Sequence, residues 1–296
     1  MDAPQVSVLI PTWNGMEWLP RLIPSLRAQV VPRGLEIVAL DSESRDGTAA
    51  YLREQGVRVQ GLPQAEFGHG SARNRLAGMA QGERLVFLSQ DALPVGTDFV
   101  RTLIAPLEDR RVAGTWARNL PNPGDDALSR RSLLESQESS AEGRRICLPA
   151  GRTLADFAPA ERARLARFNN VASAMSAETA RAHPFPEVAF GEDSAWAARV
   201  LNAGYCVEYV AQAAVHHNHR YGPASALARY RQDARFLREV HGVVVRPGLW
   251  SVLRGVAFEL RQDARFLLRE RGRFGDWLRA PALRAAQVWG QYQGSR

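Results

Sequence analysis

The chain has 296 residues, of which 45% are hydrophobic and 23% charged; this suits a soluble globular protein with a core large enough for one domain or two. No apolar run approaches the roughly 20 residues of a bilayer-spanning helix, and Met1-Asp2-Ala3-Pro4-Gln5 lacks the basic start of a secretory signal, so a cytoplasmic location is expected. The formal net charge of +7 is unevenly placed: Arg220 to Arg296 holds 15 Arg against 6 acids, whereas residues 1–219 are slightly acidic.

In chain order, Val6-Ser7-Val8-Leu9-Ile10 reads as a strand stopped by Pro11, and Glu17 to Ala28 as a helix. Glu36 to Leu40 is a second strand, ending at Asp41. Asp46-Gly47-Thr48 opens a helix through about Gln55, and Val57-Arg58-Val59 is a short third strand. A helix over Ser71 to Ala80 leads to the apolar strand Arg84 to Leu88. Strands separated by helices of this length imply a doubly wound, mostly parallel α/β sheet with helices on both faces. Asn119 to Glu161 is rich in Pro, Gly, Ser and charge and reads as loops with short helices. Asn170 to Met175 is a strand, Asp193 to Ala203 a helix, and Val207 to Val210 a strand leading to His216, His217 and His219.

After Tyr221-Gly222-Pro223 the chain turns helical, with breaks at Pro247-Gly248 and near Gly272 to Gly275. This divides it into residues 1–222, an α/β domain, and 223–296, a basic helical arm. Arg231-Gln232-Asp233-Ala234-Arg235-Phe236-Leu237 recurs as Arg261 to Leu267, and both copies put Phe-Leu beside an Arg-rich face. Leu249, Val252, Leu253, Val256, Leu260 and Leu267 share one helical face, expected either to pack or to meet an anionic membrane. Cys147 and Cys206 give neither a disulfide framework nor metal-site spacing, which favours a reducing compartment. All 38 basic residues are Arg; without Lys, Schiff-base catalysis is excluded.

Asp91 follows the apolar strand ending in Phe87-Leu88 and precedes Pro94. It emerges past a carboxyl end, where open α/β sheets place ligand-binding groups. A carboxylate there can hold a divalent cation against a diphosphate. Gly191-Glu192-Asp193, about one hundred residues on, can supply a general base. Together they suggest sugar transfer from a nucleotide donor.

Six motifs in order carry a resemblance: Pro11-Thr12-Trp13-Asn14-Gly15, Asp41 to Thr48, Phe67 to Asn74, Phe87 to Pro94, Gly191 to Ala197, and Val215 to Tyr221. The chain resembles the GT-A fold glycosyltransferases of family 2, nearest the bacterial rhamnosyltransferase branch, over roughly residues 5–222. The resemblance implies a nucleotide-sugar pocket from Pro11, Thr12, Asn14, Asp41, Ser44, Gly70, Arg73, Gln90 and Asp91, with the Asp41 carboxylate accepting from a pyrimidine N–H and Arg73 meeting the diphosphate. Asp46 could serve that pocket or simply form a turn and helix cap. The family's Asp-x-Asp stands here as Ser89-Gln90-Asp91, a departure shared by the rhamnosyltransferase-like branch that lowers the local charge.

The resemblance further implies a magnesium or manganese ion held by Asp91 and by a late histidine, His217 in the first place or else His219, with Asp193 as the base and Glu192 orienting the acceptor. Trp196 and His219 would lie on the acceptor side. The implied partners are a deoxythymidine- or uridine-diphosphate sugar, rhamnose or a similar deoxysugar, and a glycan or lipid-linked acceptor of bacterial surface polysaccharide. The expected enzyme inverts the anomeric centre, lies in the cytoplasm or peripherally on the inner membrane face, and could pair as a homodimer. The rival readings are a nucleic-acid-binding protein, on the strength of the basic arm, and a glycoside hydrolase using Asp91 and Asp193 as its carboxylate pair. The arm shows no zinc or recognition-helix signature, so no nucleic acid is expected.

Overall fold

The computed structural model describes residues 4–296, which fold as two compact units. One unit runs to Asn119 and adds Ser140–Asp156 and Leu165–His217. The other comprises Leu120–Ser139, Phe157–Arg164 and Asn218–Arg296.

In chain order the elements are β1 (Val6–Thr12), α1 (Leu19–Arg27), β2 (Leu35–Asp41), α2 (Thr48–Glu54), β3 (Arg58–Gly61), α3 (His69–Met79), β4 (Arg84–Leu88), β5 (Leu93–Pro94), α4 (Phe99–Ile104), β6 (Val112–Leu120), α5 (Ala127–Leu134) and β7 (Arg144–Cys147). They continue with α6 (Pro159–Leu165), β8 (Ala172–Ser176), α7 (Ala177–Ala182), α8 (Glu192–Asn202), β9 (Cys206–His216), α9 (Pro223–His241), α10 (Leu249–Arg269) and α11 (Phe274–Gly294).

The first unit is built on one sheet ordered β3-β2-β1-β4-β8-β6-β9-β5, with β7 on β9. This is the expected α/β class. The continuous apolar run of β1 explains its central place, because a strand covered on both faces has no polar side to show. Alternation splits its side chains between two cores. Val6, Val8 and Ile10 pack with Leu19, Leu22, Ile23 and Leu26 of α1 on one face. Leu9 joins Phe87, Leu76 of α3 and Trp196 of α8 on the other.

Strands β1, β2, β3 and β4 pair in parallel. Strand β8 pairs antiparallel with β4 and β6, and β9 does so with β5 and β7. Direction in that half is a tertiary property that the apolar pattern of residues 170–175 does not carry. Two features depart from expectation. Pro11 does not stop β1, which pairs through Pro11↔Leu40 to Thr12↔Asp41. The loop-like segment 119–161 contains β7, a short strand recruited by backbone pairing with β9. In that ladder Cys147 stands opposite Cys206, and the two form a disulfide. The expectation that these two cysteines give no disulfide is corrected by this pairing.

The second unit is helical. Gly290 packs against the α9 backbone so closely that an added Cβ would lie 2.5 Å from the Leu227 carbonyl oxygen, and Ala226 and Ala234 keep that side of α9 small. Three buried charges and the partly buried Glu259 also tie the unit together. Asp263 accepts from Arg284 Nε at 2.8 Å and Nη2 at 2.9 Å and pairs with Arg131 at 2.7 Å, while Arg131 also pairs with Glu259. The repeated heptapeptides diverge in role: Phe266 and Leu267 are buried, whereas Phe236 and Leu237 are only partly covered. Of the apolar α10 stripe, Val252, Val256, Leu260 and Leu267 pack within the unit, but Leu249 and Leu253 stay exposed.

Candidate active site

The carboxyl ends of β1, β2 and β4 lie along one sheet edge because these strands are parallel. Asp41, almost wholly buried, caps β2. Its Oδ1 accepts from Ser44 Oγ at 2.6 Å and Thr12 Oγ1 at 3.1 Å, and its Oδ2 from Ser44 N at 3.0 Å. Asn14 and Glu43 take left-handed backbone conformations, with φ of 47° and 55°. Asn14 N donates to Ser44 Oγ at 2.8 Å, and Arg45 N donates to Asn14 Oδ1 at 2.9 Å. Thr12, Asn14, Asp41 and Ser44 are thus brought together as one knot, and the loops after β1 and β2 are locked to each other. The buried Ser42 hydroxyl beside Asp41 has no hydrogen-bond partner among the described residues.

Asp46 performs the turn and cap role. Burial opposes its ionisation, but hydrogen bonds from Thr48 and Met16 outweigh that and hold the carboxyl below its usual range. Gln90 clamps Trp13 at both backbone groups, accepting from Trp13 N at 3.0 Å and donating to Trp13 O at 2.9 Å. Its amide is therefore committed to positioning the half-exposed Trp13 rather than reaching for a ligand. Pro11 stays in the β1 ladder.

Asp91 lies between β4 and β5. Because β5 pairs with β9 through Leu93↔His216, Asp91 Oδ2 comes within 3.6 Å of His217 Nε2, with side chains 22% and 12% exposed. A carboxylate oxygen and an imidazole nitrogen at this separation fit a divalent cation, and the nitrogen suits manganese better than magnesium. His219 belongs to the helical unit, where it is exposed and its ring centroid lies 6.0 Å from that of Tyr221.

Gly191, at φ 78°, starts α8. Glu192, buried, pairs with Arg73 at 2.7 Å and accepts from Asn170 Nδ2 at 3.3 Å. Arg73 also donates to the carbonyls of His69 at 3.0 Å and Asn170 at 3.4 Å. Asp193 accepts from Ser194 N at 2.7 Å but has no ion-pair partner of its own among the described residues. Burial, reinforced by the neighbouring Glu192 carboxylate, pushes its carboxyl up to about 7, against the pull of Ser194 N–H, Arg73 and Asn170 N–H. A carboxyl poised there can take or give a proton at neutral pH. His69 cannot supply the missing positive charge: burial holds its pKa down, Glu192 opposes this and Arg73 adds to it.

Segment 169–171 connects the two halves of the site. Ser89 N, at the end of β4, donates to Val171 O at 2.8 Å, and Asn170 N bonds the Asp193 carboxylate. The strand end that carries Asp91 and the helix start that carries Asp193 are therefore joined through two consecutive residues. Asn170, further fixed by Ser173 Oγ at 2.8 Å, is a site residue the sequence did not single out. Nothing in its local pattern marks it.

Three expectations change. Arg73 is turned inward onto Glu192 and is buried, so its guanidinium is not on a diphosphate. Gly70 is buried and demanded by the Pro186 carbonyl, which a Cβ would strike. Trp196 is fully buried, donates to His183 O at 2.8 Å and packs on Phe168 at 4.8 Å, leaving no face for an acceptor. Trp196, Ala197, Val200 and Leu201 are all buried, and that helical spacing was the available signal.

The sequence model for glycosyl transferase family 2 matches residues 7–161, just over half of the chain. The O-antigen chain rhamnosyltransferase RfbN of Salmonella typhimurium is 25% identical over 231 residues, which are 76% of this chain and 70% of that protein. WbaN of Salmonella anatum, described in the same words, is 25% identical over 236 residues, 77% of this chain and 70% of its own. Among solved structures, the mannosyltransferase PcManGT of Pyrobaculum calidifontis, in complex with GDP-Man and Mn2+, is similar with a TM-score of 0.59 at 18% identity, covering 98% of this chain and 86% of that one. Glucosyl-3-phosphoglycerate synthase of Mycobacterium tuberculosis, bound to Mn2+, UDP and glucosyl-3-phosphoglycerate, gives a TM-score of 0.55 at 20% identity over 81% of each chain. At such identities the structural likeness speaks for the fold. With the family match, it makes this chain a member of glycosyl transferase family 2, rhamnosyltransferase-like and built on the GT-A form of the α/β fold.

Proposed function

We propose that this glycosyltransferase moves rhamnose, or a similar deoxysugar, from a deoxythymidine- or uridine-diphosphate donor to an acceptor hydroxyl with inversion, in O-antigen or related surface-polysaccharide synthesis. The observation that carries the reading is Asp193: a carboxyl held near 7 and joined through Asn170 and Val171 to the strand end bearing Asp91. The described names of RfbN and WbaN support the sugar and the pathway class. Family membership leaves neither the nucleic-acid-binding nor the hydrolase reading as the account of this chain.

In this reading the knot of Thr12, Asn14, Asp41 and Ser44 receives the nucleotide base, with Asp41 accepting its N–H and Trp13 lying along base or sugar. Asp91 and His217 would hold a divalent cation, which when bound neutralises charge on the departing diphosphate. Asp193 takes the proton of the acceptor hydroxyl as that oxygen attacks the anomeric carbon. Glu192, tied to Arg73, fixes the first turn of α8 and so the direction of the Asp193 carboxylate. Residues 1–222 carry this chemistry, and residues 223–296 bring it peripherally to a membrane holding a lipid-linked acceptor. Among the described residues, no helix is long and apolar enough to cross that membrane.

The test is calorimetry of dTDP, UDP and GDP with manganese, magnesium or chelator, followed by transfer from dTDP-rhamnose. The reading expects manganese-dependent dTDP or UDP binding that Asp91→Asn weakens at least tenfold, and a product of inverted anomeric configuration. Metal-independent binding unchanged in Asp91→Asn, or a retained configuration, overturns it.

A further inference from the structure

We infer that the outward face of α10, with the groove at its start, is a docking surface for an anionic lipid bilayer, the groove taking a phosphate headgroup. In the reading above this face holds the enzyme against the leaflet carrying its acceptor, so its purpose rests on that reading, but its binding does not.

Over the first three turns of α10, Leu249, Trp250, Leu253 and Phe258 are 60%, 79%, 60% and 57% exposed. Apolar side chains this exposed, and grouped on one helix, mark an interaction surface rather than scattered surface residues. Both acids of α10 are directed elsewhere: Glu259 pairs with Arg131, and Asp263 with Arg131 and Arg284. The outward face therefore carries Arg254, Arg261 and Arg265, all exposed, and no carboxylate. Arg254 and Arg261 have no ion-pair partner among the described residues. An exposed apolar tip followed by acid-free arginine turns is the charge arrangement of a helix lying in a membrane interface.

Beside this face is a groove of about 680 Å³, lined by Arg246, Gly248, Trp250, Arg254 and Phe258 among others. Arg246 is a fixed wall. Its Nε donates to Gln291 Oε1 at 2.9 Å and its Nη1 to Ser251 O at 3.3 Å, and its guanidinium lies flat enough on α10 that a Cβ on Gly255 would meet its Cζ at 2.6 Å. That leaves Nη2 for a ligand oxygen, with the exposed Arg254 guanidinium as a second donor and aromatic rings at the rim. Two guanidinium groups between apolar walls match a phosphate attached to hydrocarbon.

A second copy of this chain is a poorer occupant, since a symmetric contact would set Arg254, Arg261 and Arg265 against themselves with no acid to offset them. A single-stranded nucleic acid would use the arginines and rings, but it gives Leu249 and Leu253 nothing to bury in.

The experiment is flotation of the full chain with vesicles of phosphatidylcholine and phosphatidylglycerol, 3:1 by design, against phosphatidylcholine alone. The wild type should bind the anionic vesicles at low salt and release as salt rises. Trp250→Ala/Leu253→Ala should weaken binding at least tenfold. Arg246→Gln and Arg254→Gln should each weaken it about fivefold, all with unchanged donor affinity, and with unchanged melting temperature for Trp250→Ala/Leu253→Ala and Arg254→Gln, which break no hydrogen bond among the described residues. Millimolar inorganic phosphate should fail to displace the protein. The inference is overturned if the wild type ignores anionic vesicles, if the four substitutions leave binding intact, if they alter only the oligomeric state, or if oligo-uridine binds through these residues while vesicles do not. Vesicle binding with no sugar transfer would remove the proposed activity and leave the docking surface standing.

Discussion

Each unit of this protein buries a cluster of charges, and the two clusters are balanced differently. In the helical unit, two buried guanidinium groups, Arg131 and Arg284, face the buried Asp263 and the partly buried Glu259, with the more exposed Glu135 also on Arg131 at 2.9 Å, and Arg284 also donates to Gln287 at 2.6 Å and Ser132 at 3.1 Å. In the sheet unit, the single guanidinium of Arg73 faces two adjacent carboxylates, and it is committed to Glu192. Asp193 is left as the surplus charge, and its proton affinity rises accordingly. A matched buried cluster holds helices in place. An unmatched one stores a proton equilibrium near neutrality, which is a catalytic resource rather than a structural one.

The largest test of that difference is Asp193→Asn. Removing the surplus carboxylate should lower turnover by about 10²–10⁴-fold, the range for losing a positioned general base, while nucleotide diphosphate affinity measured by calorimetry stays within about twofold. The reciprocal change, Arg284→Met, should leave donor binding alone and destabilise the helical unit by about 3–5 kcal/mol in urea unfolding, because Asp263 loses half its compensation. Adding Asp263→Leu should recover most of that loss. If Arg284→Met proves harmless, the helical cluster is not what holds α5, α10 and α11.

The smallest effect concerns stability against pH. The Asp193 carboxyl titrates near 7 in the folded chain and near its usual value, 3.8, when unfolded. Between those values the unfolded chain sheds a proton that the native state keeps, so stability falls as pH rises through the window. Asp193→Asn should therefore be more stable than wild type at pH 8, on the order of 1–3 kcal/mol, and no more stable at pH 4. A gain equal at both pH values would show that the carboxylate is not strained in the fold.

Much of this arrangement was legible from residue order. Asp41 and Asp91 each end an apolar run, and a parallel sheet places such ends on one edge; the acids of Glu192-Asp193 announce the start of α8. The three C-terminal helices follow from Pro247-Gly248 and the Gly272 to Gly275 break. Other features depend on distant partners. Strand β7, Arg144-Arg145-Ile146-Cys147, has no apolar alternation and exists because β9 offers a ladder, and the Cys147–Cys206 disulfide depends on that register. Arg73 looks like a surface cation in its own helix, and Glu192 and the Asn170 carbonyl, far along the chain, turn it inward. The apolar stripe on α10 was visible, but which of its members pack was decided chiefly by α11 and α5. Its exposed half, with Trp250 and Phe258, is a separate surface.

The most direct measurement of the unmatched carboxylate is the pH dependence of kcat for sugar transfer by wild type and Glu192→Gln. The base must be ionised to accept the acceptor's proton, so the wild-type rate should rise with pH to a plateau, with an apparent pKa near 7. Glu192→Gln removes the adjacent negative charge and frees Arg73 to face Asp193, so the rising limb should move to lower pH. A wild-type limb already complete below about pH 5, or one that does not move when Glu192 is neutralised, would contradict the assignment of Asp193 as the base.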